Sequence, residues 1–356
     1  MGSPDSNLVS VARPGFRIDS RADAALAGRL TELVVSERAD GLYSCEAQFN
    51  NWGRQGDAAG FLYFDGQTLD FGKRLEVLLG DDPVFDGRIT AMQADFPDGG
   101  APRLRILAED RFQELRMTRR TRSFFDVDDS GLLQRIAGDH GLTVQASLAG
   151  PTHKVLAQVN QSDLAFLRER ARRIGAEIWM EGTTLHAARR TDRSGTPVKM
   201  IHGARLRQFS VIADLSGQCS KTVVGGWDRS AKTAISEKAG DDALSGELGN
   251  DRSGASILAS AFSERVETLA HLCPVTSDEA SAQAKAHFVA KARRFVVARA
   301  LAEADARLRV GATVDLGGLG PLFNGKYYLS TTCLRFDGHA GLRTEFTAER
   351  AGIGRP

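Results

Sequence analysis

Through the first third of the chain, apolar and polar positions alternate in short runs punctuated by Gly, Asp and Pro. LTELVVSERA, YSCEAQFN, KRLEVLLG and RITAMQADF are rich in β-forming residues, and their spacing predicts antiparallel strands. PRLRILAEDRFQEL extends the series, with Leu104, Ile106 and Ala108 at alternate positions. From about Arg116 the period lengthens. DDSGLLQRIAGDHGL reads as a helix opened by Asp129 or Ser130 and stopped near Gly138 or Gly141. QSDLAFLRERARRIG reads as a second helix. Ser162 suits its N-cap, Leu164, Leu167, Ala171 and Ile174 form one apolar face, and Gly175 suits its end. AEIWMEGTTLHAARR then reads as strand, turn, strand.

After Pro197 the strand pattern returns in ARLRQFSVIA and SKTVVGGWD. Residues 229 to about 256 are polar, small and Gly-rich, and read as a long connection or a mobile surface loop. SDEASAQAKAHFVAKARRF predicts a helix over about 278–293 with Ser277 as its cap, and FVVARALAE through RTEFTAER is β-patterned again. The fold class is α+β, mainly β.

Two segments resemble each other. Phe85-Asp86-Gly87-Arg88 matches Phe323-Asn324-Gly325-Lys326, and Phe96, Arg103, Ala108 and Glu109 recur at the offsets of Phe336, Arg343, Ala348 and Glu349. One phenylalanine-to-phenylalanine gap differs by two residues, an insertion that a hairpin end could absorb. Asp-Gly and Asn-Gly between β-forming runs are hairpin signals, because both residues tolerate positive φ. The repeat implies two similar β-domains, one near each end, flanking a helix-containing insert.

GPLFNGKY, Gly320 to Tyr327, has the spacing of a phosphate-binding loop but ends in Tyr327 where Ser or Thr is required. Such a loop must open a helix, whereas KYYLSTTCLRF follows here, so the segment reads as a turn. Asp126–Gly131 starts like a calcium loop, but its twelfth position is Ala137 instead of Glu, which leaves helix capping as its role. His271 and Cys273 have no second ligand pair at zinc-finger spacing, and His140, His153, His186, His202, His287 and His339 lie in no metal-binding pattern. No G-x-S-x-G elbow is present, and acidic pairs such as Glu109-Asp110 read as surface charge. Arg116, Arg119, Arg120 and Arg122 cluster without interleaved aromatics, which favours a joint between domains or an acidic protein partner over nucleic acid. No catalytic, cofactor-binding or metal-ligating residue is assigned, and no cofactor.

Composition agrees with a globular chain: 356 residues, 42% apolar, 26% charged, net charge +1. That balance gives no case for general nucleic-acid or anionic-membrane binding. No apolar run reaches membrane-spanning length, and the N-terminus lacks a signal pattern. Cys45, Cys219, Cys273 and Cys333 lie far apart, which suits free thiols better than a disulfide framework.

The order of these elements resembles the phage late control D protein family, the tail and baseplate hubs similar to the hub part of VgrG and of extracellular contractile injection system spikes. FGKRLEVLL…VFDGRITAM resembles the family's first β-domain. RTRSFFDVDDSGLLQRIAGDHGL and NQSDLAFLRERARRIGAEIWMEGTTLHAAR resemble its middle, and GATVDLGGLGPLFNGKYYL through RTEFTAER its last β-domain. The resemblance implies barrel-like β-domains: a first hub domain over 1–115, an α+β insert over 116–196, and a second hub domain over 197–356. It implies a non-enzymatic baseplate hub of a contractile injection apparatus or phage tail. Its partners are itself as a homotrimer, an inner tube protein, a spike protein and other baseplate components, with no nucleic acid and no membrane insertion. Such a trimer adapts a hexameric tube to a trimeric spike. Because AGIGRP closes the sequence just after the last strand pattern, a separate spike polypeptide is expected. The resemblance places the chain in the cytoplasm at synthesis and assembly, and then in a tail-like particle. The alternatives are a phage-tail-associated cell-wall hydrolase and a carbohydrate- or protein-binding β-module.

Overall fold

The structure, a computed structural model, describes residues 13–55, 57–193 and 195–355. Residues 1–12 of the expected first domain and Gly195's neighbour Ser194 lie outside the described residues. The chain opens with β1 (Gly15–Ile18), β2 (Arg21–Ala22), α1 (Ala24–Arg29), β3 (Leu30–Arg38) and β4 (Ser44–Asn50). The hairpin β5 (Trp52–Gln55) and β6 (Ala58–Phe61) precedes β7 (Arg74–Leu79), β8 (Asp82–Asp95) and β9 (Arg103–Glu109). The middle holds α2 (Phe112–Arg116), β10 (Arg119–Val127), α3 (Asp129–Asp139), β11 (Thr143–Ser147), β12 (His153–Ser162), α4 (Asp163–Arg173), β13 (Ala176–Glu181) and β14 (Thr184–Arg189). The last part runs β15 (Val198–Ile201), β16 (Leu206–Ala213), β17 (Lys221–Asp228), β18 (Thr233–Ala239), α5 (Ser245–Leu248), β19 (Arg252–Ser253), α6 (Gly254–Phe262) and β20 (Val266–Leu269). It ends with α7 (Ser277–Ala292), β21 (Val296–Glu303), β22 (Thr313–Gly317), β23 (Gly325–Asp337), β24 (Gly341–Arg350) and β25 (Gly352–Ile353).

The fold is mainly β, and its largest sheet has the strand order β16-β21-β24-β23-β3-β4-β9-β8-β7-β1-β2, with β22 and β15 attached beside β23. No sheet among the described residues closes into a barrel. This corrects the expectation of barrel-like units: the ends of the chain share one open sheet, because β23 pairs with β3 from Thr331↔Arg38 to Asp337↔Glu32.

Within that sheet the pairing repeats. The block β7-β8-β9-β4-β3 has the same order as β22-β23-β24-β21-β16. The register repeats as well. Arg88 opposes Glu109 as Tyr328 opposes Glu349, and a bulge then falls at Thr90 as it falls at Ser330. On the other side, Leu30 opposes Phe49 as Leu206 opposes Ala302, with bulges at Thr31 and Arg207. The loops entering β7 and β22 also correspond. Gly72 (φ 79°) donates to the Ile89 carbonyl, and Gly311 (φ 94°) donates to the Leu329 carbonyl. A bulge inserts one residue and re-aims the strand, so two bulges at matching places give both blocks the same bend.

Structural register keeps the Phe96–Phe336, Arg103–Arg343, Ala108–Ala348 and Glu109–Glu349 matches and moves the four-residue motif. Gly87 corresponds to Tyr327 and Phe85 to Gly325, so the Phe-Asp-Gly-Arg and Phe-Asn-Gly-Lys matches are out of register by two and no insertion is needed. Asp86 and Gly87 also do not form a turn. They lie inside β8, where a Cβ on Gly87 would sit 2.3 Å from the Glu109 carbonyl oxygen. Glycine is there for close backbone approach.

Alternation fixes the inward faces. Leu104, Ile106 and Ala108 of β9 are buried, as are Val296, Ala298, Ala300 and Ala302 of β21. Two cores lie beneath the large sheet: one around Phe16, Phe49 and Leu104, the other around Tyr327, Phe346 and Phe295. Between them a third core forms where α3 and α4 cover the β11-β14-β13 sheet, around Leu132, Leu167 and Leu185. Ser162 caps α4 through the Ala165 N–H, and Gly175 follows it at φ 70°. The cap of α3 is Asp128, one residue before the expected Asp129, because its carboxylate reaches the Gly131 N–H at 2.7 Å. DRFQEL, read as strand, closes instead into α2, since Asp110 accepts the Phe112 N–H and Phe112 and Leu115 turn into the third core.

The segment 229–256, expected as a loop, is ordered into β18, a 3-10 turn, α5, β19 and the start of α6. β18 pairs with β17 along its full length, burying Ile235 and Ala239, and Leu244 fills a fourth core with Phe288 and Ala284 of α7. Polar composition hid this because the buried apolar residues of the segment, Ile235, Ala239, Leu244 and Ala255, are few and widely spaced. Helix α7 starts at Ser277 and ends at Ala292, and its cap is Thr276, which accepts the Glu279 N–H; Ser277, the expected cap, is already helical. Leu244→Ala is expected to cost about 2–5 kcal/mol in urea unfolding, the range for emptying a filled leucine site; an unchanged midpoint would show that the segment adds no core.

Candidate functional site: the junction of the blocks and the sheet edges

Charged side chains converge where the middle unit meets both blocks. Glu177 of β13 accepts from Arg190 at 3.1 Å, from Arg193 at 3.2 Å and from the Tyr328 hydroxyl. Arg190 also binds Glu349 of β24 at 2.7 Å and lies over the Tyr328 ring, 4.0 Å from its centroid. Arg193 lies 4.0 Å from the Trp179 ring and donates to the Tyr43 hydroxyl at 3.2 Å. Burial pushes the Tyr43 and Tyr328 phenols far up, so both stay neutral donors or acceptors. Arg190 and Arg193 stay charged, because Glu349, Glu177 and their tyrosine neighbours overcome the cost of burial.

Beside this network lies a cleft of about 430 Å³, lined among others by Glu37, Tyr43, Asp110, Trp179, Arg193 and Arg309. Its carboxylates already have donors. Glu37, from β3, binds Arg309 and the Val310 N–H, Asp86 binds Arg74 at 2.7 Å, and Glu181 accepts from Trp179 at 3.0 Å. Asp110 accepts the N–H groups of Tyr43 and Phe112 at 2.8 and 3.0 Å. Burial nevertheless pushes its carboxyl up to about 7, against those bonds and the Arg168 charge. Ion pairs and hydrogen bonds thus engage these carboxylates and pin three units together.

The residues singled out from sequence go elsewhere. Arg116 binds Glu109 at 2.6 Å, and Arg119 donates to the Asn160 carbonyl at 2.9 Å. Arg120 and Arg122 reach Asp163 at 3.3 and 2.8 Å, tying β10 to the start of α4. Burial disfavours the Asp163 carboxylate, but bonds from His140 and Gln158 and the Arg122 and Arg120 charges hold it below the usual range. The arginine cluster is therefore spent on internal pairs. Asp129 of the calcium-like segment binds Arg170 at 2.7 Å, and Ala137 is buried. His140 pairs with Asp163, His153 with Arg170, and His287 with Glu267, while His186 stacks on Trp179. Cys273 is exposed; its nearest polar contact is the Ala270 carbonyl at 3.8 Å. Among the described residues no group of three or more His, Cys, Asp or Glu could hold a metal ion. No described helix is long and apolar enough to cross a membrane. Gly320–Tyr327 is a turn: the Gly320 carbonyl accepts from Phe323 and Asn324, Tyr327 is buried, and Lys326 pairs with Asp315 inside a strand.

Two features escaped sequence reading. The junction ties the neighbouring Glu177, Arg190 and Arg193 to residues 150 or more positions away, so no spacing marks it. The second is an exposed aromatic group, Trp52, Phe61, Phe64 and Phe96, in contact at centroid distances of 5.0–6.1 Å. Its signal was FLYF, four apolar residues between polar turns.

A family model described as the Alg8 N-terminal domain matches residues 54–335, most of the chain. The chain belongs to the Alg8 N-terminal domain family. That family does not carry the late control D name. No curated protein sequence matches the chain. Solved structures do. A prophage MuSo2 tail protein from Shewanella oneidensis is similar at TM-score 0.70 and 11% identity, over 95% of this chain and 98% of that one. A tail protein from Neisseria meningitidis MC58 is similar at TM-score 0.69 and 11% identity, over 96% and 97%. The E. coli c3393 protein, described as a component of the type VI secretion system, is similar at TM-score 0.60 and 9% identity, over 92% and 76%. At these identities the likeness is one of fold: this Alg8 N-terminal domain family member has the fold of phage tail and secretion-system tail proteins.

Arg190→Ala leaves the half-buried Glu177 and Glu349 with one fewer cation. It is expected to cost about 1.5–3 kcal/mol in urea unfolding, the range for losing hydrogen bonds to charged groups. Asp110 gives a pH dependence of known sign. A carboxyl raised from the ordinary 3.8 to about 7 contributes stability that is complete below about pH 4 and is lost as pH rises to about 7. Unfolding free energy measured from pH 4 to 8 should fall through that window, by at most about 1.4 kcal/mol per unit for one proton. Asp110→Asn should remove that slope.

Proposed function

We propose that the chain is a non-enzymatic hub of a tail-like particle, a homotrimer that adapts a hexameric inner tube to a trimeric spike. The observation that carries this reading is the repeated block. Three chains with two blocks of equal strand order and bulge placement supply six similar units, which a sixfold tube can meet, while the chain count stays at three for a spike. The two blocks are read as the two hub domains, with the middle unit as the insert. The fold shared with phage tail and type VI secretion system proteins supports a structural place in such a particle. The late control D family is the functional relative proposed. The partners proposed are the tube protein, a spike protein and other baseplate components, without nucleic acid or membrane insertion. Assembly takes place in the cytoplasm before incorporation into the particle.

A cyclic trimer is built from head-to-tail contacts that close at three. Light scattering on the purified chain at rising concentration should give three times the monomer mass alone, and with the tube and spike proteins of its own gene cluster a complex that holds three copies of the chain. A monomer mass under all these conditions would overturn the hub.

A further inference from the structure

Three histidines of the chain face carboxylates. His140 lies 2.8 Å from Asp163, His287 2.9 Å from Glu267 and His186 3.5 Å from Glu181, so a proton added to any of these rings meets a negative charge. His153, the first residue of β12, is placed the other way. Its Nε2 lies 2.7 Å from Nη2 of Arg170 in α4. A guanidinium only donates, so Nε2 is held as the acceptor and the ring proton sits on Nδ1. The site is closed to water: Arg170 is 5% exposed, Asp129 is 2% exposed and the His153 side chain 9%.

Arg170 in turn holds Asp129 of α3 through both carboxylate oxygens, at 2.7 and 3.1 Å. The nearer of those oxygens to the ring, Oδ2, is 4.0 Å from His153 Nε2, beyond hydrogen-bond reach. The other charges that face the ring are Arg173 of α4 and Glu279 of α7, of opposite sign. On β10 its partner is Val127, and the loop 148–152 that leads into β12 carries no charge. We propose that His153 is a proton-operated latch. Neutral, it ties the start of β12 to α4; protonated, it breaks with Arg170 and lets residues 148–155 swing away.

Protonation sets two cations with opposed N–H groups 2.7 Å apart, away from water, where their repulsion is little screened. Burial and the Arg170 charge both push the ring's titration below its ordinary 6.5, against the pull of Asp129 and Glu279. A histidine shifted in that direction contributes stability that is complete above about pH 6.5 and is lost as pH falls. The sign is opposite to that of Asp110, which loses its contribution as pH rises. The loop is the part that gives way, because its other ties are light. The Leu148 carbonyl accepts from the Ser130 hydroxyl at 3.4 Å, and Leu148 packs at the margin of the third core. Gly150 lies over Asp129 and Ile174, where a Cβ would sit 3.5 and 4.0 Å from them. Opening therefore uncovers Asp129 and the Ile174 end of α4. The latch holds whether or not the chain is a hub.

Hydrogen–deuterium exchange of the full chain tests the latch, read by mass spectrometry at about pH 7.5 and about pH 5.5 and corrected for the pH dependence of exchange itself. The peptide over 148–155 should exchange up to about tenfold faster at the lower pH, the slope for one proton over the unit below 6.5. The β9 peptide, 103–109, should keep its rate. His153→Gln retains an acceptor for Arg170 and removes the titration, so its 148–155 peptide should exchange at one rate at both pH values. Equal rates at 148–155 in the unaltered chain overturn the latch. So does a rise at the lower pH that His153→Gln retains, and so does a rise that the β9 peptide shares.

Discussion

The antiparallel joint between β23 and β3 is the constraint on which the other features of this chain depend. Seven residue pairs, Thr331↔Arg38 through Asp337↔Glu32, bring backbone groups from opposite ends of the sequence into one ladder. β23 is long enough to serve three neighbours: β22 along its first residues, β3 along its last and β24 from Tyr328 to Asp337. Each buried N–H and C=O in that strand needs a partner, so withdrawing β3 would leave the second half of the strand unsatisfied and Leu334 and Phe336 uncovered. The bulge at Ser330 sits where the strand passes from one partner to the other. The same bulge at Thr90 of β8 marks the point where β7 ends and no second partner follows.

The charged junction works beside that joint and has a different energetic character. Half-burying Glu177, Glu349, Arg190 and Arg193 costs desolvation that their mutual attraction only offsets, so the network contributes little net stability when intact. Its contribution is to orientation. A guanidinium shared between β13 and β24, stacked on Tyr328, admits one angle between the middle unit and the second block. Glu37 does the same for the first block, fixing the loop at Arg309 and Val310 to β3. Hydrogen bonds with fixed directions thus hold relative placement, while the apolar cores beneath the sheets supply the driving force for burial.

Much of the local structure was legible. Ser162 and Gly175 delimit α4 because a hydroxyl acceptor and a residue tolerant of positive φ are what a helix start and end require. The match of Phe96, Arg103, Ala108 and Glu109 to residues of β23 and β24 followed the true repeat. The Phe-Asp-Gly-Arg match did not, because glycine in a strand answers a close backbone approach at Gly87 and a bend of φ 128° at Gly325, two causes with one residue type. The segment 229–256 was misread because its core contribution rests on scattered residues such as Ile235 and Leu244, too few to outweigh polar composition.

What the sequence determined by itself was the set of elements and their inward faces, since period, caps and turn residues act over a few positions. It also determined that two stretches are alike. Only the tertiary structure decided which edges meet, that the two blocks join in one open sheet instead of closing separately, and that the arginine cluster is spent on internal pairs. The reason is that strand edges bond through backbone groups, which every residue but proline carries. Glu37 and Thr332 meet across 295 positions. Nothing in their neighbours' side chains distinguishes that partnership from many others, and three-dimensional packing alone selects it.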